Sequence, residues 1–291
     1  MSMKDKIVIV TGGTDGIGRE TGREIAACGA HVTLIGRNAA KGDSVIRAMR
    51  SQSGNEQIHF VQADLSSRRG VMHAAEALKE RFGHIDVLVN NAGALYQTRQ
   101  LSEDGIEMTL ALNHLGYFHL TSELLGLLAA ADQGRVVNVA SAAHQGARLD
   151  LDDLQLEKGY SGWTAYSRSK LANVYFTREL ARRLAGTRVT ANCLHPGFVA
   201  SAFGDNNSGF VRVLFGLAKR VAAIPEREGA RTSVHLATDP SLKLVSGEYF
   251  DKCQPARSSA VSYDEAVARE LWSRSEVLCG SPFKQAGATF S

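Results

Sequence analysis

Cysteine is scarce. The chain has four in 291 residues, Cys28, Cys193, Cys253 and Cys279, with no C-x-x-C pair. That spacing outlines neither a zinc site nor a dithiol redox motif and reads as reduced thiols. Proline occurs five times, and no linker-like tract, low-complexity stretch or repeat interrupts the chain, so one domain over residues 1–291 is expected. Long hydrophobic runs are missing as well. The first apolar run starts at Ile7, is strand-sized and follows no charged leader, so a cytoplasmic protein without an integral membrane segment is the expectation. Charge of one sign is also lacking: 33 Lys and Arg stand against 30 Asp and Glu, a net +3. No basic block of the kind that tracks a phosphate backbone occurs, which excludes nucleic acid as the expected partner. The acids Glu103, Asp104 and Glu107 read as a solvated helix start, and no metal site is expected.

What is present is an alternation. With 44% hydrophobic and 22% charged residues the composition is that of an ordinary globular protein. Short β-branched or apolar runs recur at 6–11, 31–35, 58–62, 85–90, 135–140 and 188–194, separated by segments of helical length and period. Parallel strands need long crossovers that cover both faces of their sheet. The fold class is therefore α/β, a doubly wound parallel sheet of Rossmann type. The segment 198–224 breaks the pattern, running through Phe210, Val211, Val213, Leu214, Phe215 and Leu217. It reads either as a core helix or as a small apolar lid over a substrate pocket.

The first strand runs into Gly12-Gly13-Thr14-Asp15-Gly16-Ile17-Gly18 and a helix follows at once. Glycines allow the backbone to approach a pyrophosphate, and the helix N-terminus offers it free N–H groups and partial positive charge. The second strand ends in Gly36-Arg37-Asn38, where a site for NAD usually places an acid against the ribose hydroxyls. Arg37, helped by Arg19 or Lys41, fits a 2′-phosphate instead, so NADP(H) is the expected cofactor. Asp15 argues the other way, since a carboxylate in that turn repels the phosphate; NAD(H) stays open.

Further on stand Ala63-Asp64-Leu65, Asn90-Asn91-Ala92-Gly93, Ser141 at a strand end, Tyr166-x-x-x-Lys170 on a helix, and Pro196-Gly197. With the glycine turn, this ordered set resembles the short-chain dehydrogenase/reductase family over residues 5–280. The stretches Val139 to His144, Tyr166 to Asn173 and Leu194-His195-Pro196-Gly197 are most similar to its retinol-dehydrogenase-like branch. Ala140 stands where serine is more usual, and no anchor of the kind carried by membrane-bound members is seen. Tyr166 and Lys170, four apart, share a helix face, so the ammonium is expected to lower the phenol pKa and make Tyr166 a general acid and base. Ser141 would hydrogen-bond the substrate oxygen. The resemblance implies that Asn113 holds a relay water, that Asn90, Ala92, Gly93, Pro196, Gly197 and Val199 line the cofactor cleft, and that Asp64 and Leu65 lie by the adenine. It also implies assembly into a homo-oligomer through helices near 113–130 and 164–184. His144 and His195 read as structural.

The leading expectation is an NADP(H)-dependent reductase of a small, fairly apolar aldehyde, ketone or retinoid-like compound. The alternatives are a catalytically silent NADP(H)-sensing protein and an enzyme that docks on a membrane surface.

Overall fold

The computed structural model describes residues 2–197 and 225–285; the expected lid at 198–224 and Val199 lie outside them. Among the described residues one eight-stranded sheet runs β3-β2-β1-β4-β5-β6-β7-β8. Its strands are β1 (Ile7–Thr11), β2 (His31–Gly36), β3 (Ile58–Gln62), β4 (Val87–Asn90), β5 (Gly134–Val139), β6 (Val189–His195), β7 (Tyr249–Asp251) and β8 (Gln254–Ala256). All neighbours pair in parallel except β7 with β8. The helices are α1 (Gly16–Ala27), α2 (Ala39–Ser53), α3 (Arg68–Arg81), α4 (Met108–Leu110), α5 (Gly116–Ala130), α6 (Gly162–Arg183), α7 (Glu226–Thr238) and α8 (Glu265–Cys279).

The central strands are apolar on both faces because helices cover both. In β1, Ile7 and Ile9 enter one core with Leu78, Leu88, Leu120 and Phe118, while Val8 and Val10 enter a second with Ile25, Val32, Leu34 and Met49. This period-two split is what a strand between two helical layers requires. Chain direction across the sheet reverses between β1 and β4, where Val10 pairs with Val89. The carboxyl ends of these two strands therefore flank a crevice, the position at which open α/β sheets bind ligands.

The six long strands lie where the periodicity predicts them, within two residues. β7 and β8 were not anticipated. Each is three residues long, β8 contains Pro255, and the turn between them uses Lys252 and Cys253 at positive φ of 48° and 64°. Proline is tolerated on an edge strand, and non-glycine residues in a left-handed turn give no sequence signal for a hairpin.

Helices α5 and α6, through which the resemblance implies assembly, carry the chain's own C-terminal segment. Trp272 of α8 and Phe283 pack with Phe118 and Phe176, ring centroids 4.5–6.3 Å apart. The main-chain N–H of Lys284 donates to Ser122 at 2.8 Å, and its ammonium pairs with Glu123.

Candidate active site

A groove of about 360 Å³ opens at the crevice and runs from Arg37 and Lys41 at one end to Tyr166 and Lys170 at the other. Of the residues expected at the cofactor, Gly12, Thr14, Asp15, Gly16, Ile17, Leu65, Ala92, Gly93 and Pro196 line this groove, together with Asn91, Ala94, Val139 and Ala140. Helix α1 begins at Gly16, aimed into the groove, with the Asp15 side chain accepting from the Gly16 N–H. Two glycines are required by contact. Gly12 has φ +64°, and a Cβ there would stand 2.8 Å from the Ala92 Cα. A Cβ on Gly18, which lies behind the groove, would meet the Gly12 carbonyl oxygen at 2.4 Å. This glycine cradle, the N-terminal end of α1 and the cationic far end together fit a phosphorylated dinucleotide.

Thr11 holds the two sides of the crevice together. Its hydroxyl accepts the N–H groups of Asn91 at 2.8 Å and Ala92 at 3.0 Å, and the Asn91 side chain donates back to the Thr11 carbonyl at 2.9 Å. The strand alternation turns Asn90 the other way. It is fully buried beneath the crevice and donates to Thr121 and Asn138, both at 2.9 Å, so Asn91 and not Asn90 presents its side chain to the groove. Asp64 also departs from expectation. Its carboxylate closes its own turn by accepting from the N–H and hydroxyl of Ser66, and it lies off the groove while its neighbour Leu65 lines it. Gly197, at φ +85° just after β6, is a turn residue beside Pro196.

At the cationic end Arg37 is exposed. Lys41 reaches across to Asp15 as an ion pair, so the carboxylate that argued against a 2′-phosphate is balanced by a cation from α2. Arg19 is not part of this end: its guanidinium pairs with Glu226 at 2.6 Å.

At the other end three elements converge. β5 delivers Ser141 just past its last residue, α6 delivers Tyr166 and Lys170, and a π-helical turn, Ala111–Leu115, delivers Asn113 between α4 and α5. The extra residue of a π turn redirects a side chain that a regular helix would place elsewhere. Asn113 accepts from the Ala94 N–H at 2.9 Å and donates to the Ala94 carbonyl and the Ser169 hydroxyl, both at 3.0 Å. Its own carbonyl accepts from Asn173 at 2.9 Å. Asn113 thus clamps the loop beside Gly93.

Lys170 donates to the Val139 carbonyl at 2.9 Å, with its ammonium 5.7 Å from the Tyr166 ring centroid and 5.6 Å from that of Tyr117. Burial pushes the Tyr166 phenol up to about 12, against which the hydrogen bond with Ser141 pulls down. Burial also brings Lys170 down to about 7. The expectation that the ammonium sets the phenol pKa is thereby corrected. Both groups are almost fully enclosed, and desolvation penalises each charged form more than their mutual contact favours it. In this state the pair presents a neutral phenol, suited to donate a proton.

Two histidines brace Ser141. His144 is fully buried, its Nε2 accepting from the Ser259 N–H at 3.1 Å and its Nδ1 lying 2.6 Å from the Ser141 carbonyl. An acceptor at Nε2 puts the proton on Nδ1, which then donates to Ser141. His195 Nδ1 accepts from the Ala142 N–H at 3.1 Å. Burial lowers the pKa of both, so they are neutral positioning residues and not acids or bases. The only sequence signal was the Ser-x-x-His spacing, whose partner at Ser259 lies 115 residues away. His144→Leu keeps the bulk but leaves the Ser259 N–H without its acceptor, so it is expected to cost about 1–3 kcal/mol of stability and to lower kcat more than it raises KM. Urea denaturation with an unchanged midpoint would contradict the brace.

The comparisons with known proteins agree with this geometry. The family profile described as short chain dehydrogenase matches residues 6–209. Human retinol dehydrogenase 11 is 40% identical over 282 residues, covering 97% of this chain and 88% of that protein. A crystal structure of an uncharacterized protein from Mycobacterium paratuberculosis superposes with a TM-score of 0.78 at 33% identity, covering 97% of this chain and 96% of that one. The Pseudomonas aeruginosa RhlG/NADP active-site complex does so with a TM-score of 0.69 at 27% identity, covering 86% and 95%. With the strand order, the glycine cradle and the Tyr166–Lys170 pair at one end of the groove with Ser141 bonded to Tyr166, the chain belongs to the short-chain dehydrogenase family of oxidoreductases.

Proposed function

We propose that this protein is an NADP(H)-dependent oxidoreductase that moves hydride between nicotinamide and a neutral, fairly apolar carbonyl or alcohol. The observation that carries this reading is one groove with Arg37 and Lys41 at one end and Tyr166 and Lys170 at the other, with Ser141 hydrogen-bonded to the Tyr166 phenol beside it. Bound there, the cofactor would supply or accept the hydride. The chain's own residues do the rest. The Ser141 and Tyr166 hydroxyls hold the substrate oxygen, and Tyr166 gives it a proton as negative charge develops during reduction. Lys170 is fixed by the Val139 carbonyl beneath the phenol and, in its protonated form, steadies the phenolate that proton loss leaves. Asn113 and His144 keep the loops around these groups in place.

The absence of an acid at the end of β2, the neutralised Asp15 and the NADP in a solved relative support NADP(H) over NAD(H). A sensing protein that binds the nucleotide without chemistry is the second reading; the buried Tyr166 and Lys170, costly to keep and needless for sensing, favour the enzyme. The test is optical: oxidation of NADPH and NADH against carbonyls from short aldehydes to retinal. Turnover with NADPH is expected to exceed that with NADH. Arg37→Ala is expected to raise KM for NADPH roughly 10- to 100-fold, the worth of a lost charge-assisted hydrogen bond, and to leave KM for NADH within about threefold. Equal effects on both cofactors would remove Arg37 from the 2′-phosphate. Tight NADPH binding with no turnover on any carbonyl or alcohol would favour the sensor.

A further inference from the structure

The chain has two tryptophans, and they are used in opposite ways. Trp272 is 2% exposed in the core, whereas Trp163 is 57% exposed although it stands one helical turn before Tyr166. Residues three and four apart share a helix face, so Trp163, Tyr166 and Lys170 form one stripe along α6. Lys170 lies at the end of the nucleotide groove and Tyr166 next to it, while Trp163 is not part of the groove lining and continues the stripe beyond it. The indole and phenol ring centroids are 6.0 Å apart with planes inclined by 38°.

The backbone beneath Trp163 is held firmly. The Ser161 hydroxyl caps the helix by accepting from the Thr164 N–H, and the Trp163 carbonyl accepts from the Ser167 hydroxyl at 2.7 Å. Gly162 packs so closely on the preceding loop that a Cβ would stand 2.3 Å from the Tyr96 carbonyl oxygen, and the Tyr160 hydroxyl donates to the same carbonyl at 2.9 Å. Trp163 is therefore a large apolar plate on a rigid mount, with much of its surface open beside the proton donor. No charged residue occurs from Gly159 to Ser167, so nothing on this helix start calls for an ionic substrate.

A substrate whose oxygen is held by Ser141 and Tyr166, and whose reacting carbon faces the groove, must extend its remaining bulk past the phenol. Flat groups pack on aromatic rings at centroid separations of about 4.5–7 Å, the spacing already present between the two rings. We infer that Trp163 is the specificity wall of the site and selects carbonyl compounds carrying a flat, conjugated or aromatic group next to the carbonyl over compact aliphatic ones. This rests on the oxidoreductase reading and names the substrate class for it.

The first arm of the test compares kcat/KM for cinnamaldehyde and butanal with NADPH in the wild type, Trp163→Ala and Trp163→Phe. The alanine variant is expected to lower the cinnamaldehyde-to-butanal ratio at least tenfold, mainly through KM, and the phenylalanine variant to restore most of it. An unchanged ratio, or equal loss on both aldehydes, would overturn the inference. The second arm needs no turnover. Acrylamide quenching of tryptophan fluorescence in the NADPH-loaded protein is read with and without cinnamyl alcohol, and Trp163→Phe supplies the signal of the buried Trp272. Protection of the exposed indole supports the wall; undiminished quenching at saturating alcohol overturns it. Protection together with no turnover on either aldehyde would instead count against the oxidoreductase reading alone.

Discussion

Tyr166→Phe is expected to lower kcat roughly a hundred- to ten-thousandfold, the range supplied by a positioned general acid, with fold and NADPH affinity retained. The substitution removes one oxygen from a ring that is 8% exposed and packed beside Trp163, so little packing is lost. The loss falls on the proton needed by the developing alkoxide and on one of the two hydroxyls that hold it. The raised phenol pKa sets the pH dependence. With a value of about 12 the phenol stays protonated through neutral and mildly alkaline solution, so carbonyl reduction is expected to show no loss from this group between pH 6 and 9. Alcohol oxidation needs the phenolate, whose population rises with pH, and is expected to accelerate over the same interval. Stopped-flow traces of the hydride step in both directions measure this. Reduction by the phenylalanine variant within tenfold of the wild type would remove Tyr166 from the chemistry.

Lys170→Met is expected to do two opposite things: to remove most of the turnover and to make the protein more stable at low pH. Lys170 is 3% exposed, its pKa falls from 10.5 to about 7 through burial, and its ammonium donates a hydrogen bond to the Val139 carbonyl. A fall of that size corresponds to roughly 5 kcal/mol of unfavourable charging. Between pH 7 and 10.5 the unfolded chain binds the proton and the folded chain releases it, so wild-type stability rises with pH across that window. Below pH 7 both states are protonated and the whole cost is present. Methionine fills similar volume without charge and forfeits one hydrogen bond, worth about 1–3 kcal/mol when the buried carbonyl is left alone. The net gain expected is about 2–4 kcal/mol at pH 6, shrinking toward zero by pH 9.5. Urea midpoints at the two pH values, read beside NADPH turnover, decide it. A variant less stable than the wild type at pH 6 would mean that the ammonium is better solvated than its burial implies. Retained activity would mean that the charge is not needed under the phenol.

Both predictions concern residues whose neighbourhood was legible in the sequence but whose electrostatics was not. The four-residue spacing of Tyr166 and Lys170 places them on one helical face whatever surrounds them. It does not tell how much water surrounds them, and burial turned out to outweigh their mutual contact. Asp15 shows the same limit at the other end of the groove. Its charge was visible in the glycine turn, while the cation that balances it, Lys41, lies 26 residues away on α2. Asn90 and Asn91 differ by one strand position, and only the register of β4 in the sheet decides that Asn91 meets Thr11 while Asn90 is buried among Thr121 and Asn138.

By itself the sequence determined the six long strands, the doubly wound class, the glycine turn, and the presence of Ser141, Tyr166 and Lys170 as one constellation. The strands, the class and the glycine turn are carried by local periodicity or short spacing along the chain, where side-chain direction follows from backbone geometry alone, whereas the link of Ser141 to Tyr166 and Lys170 came from the family resemblance. The tertiary structure decided the rest. It added β7 and β8 as edge strands too short to carry a period, and wrapped α8 over α5 and α6. It committed Asn113 to Ala94 and joined His144 to Ser259 across 115 residues. It also left Trp163 in the open while burying Trp272. These depend on which distant surfaces meet and how much water they exclude, and neither quantity is encoded at short range along a chain.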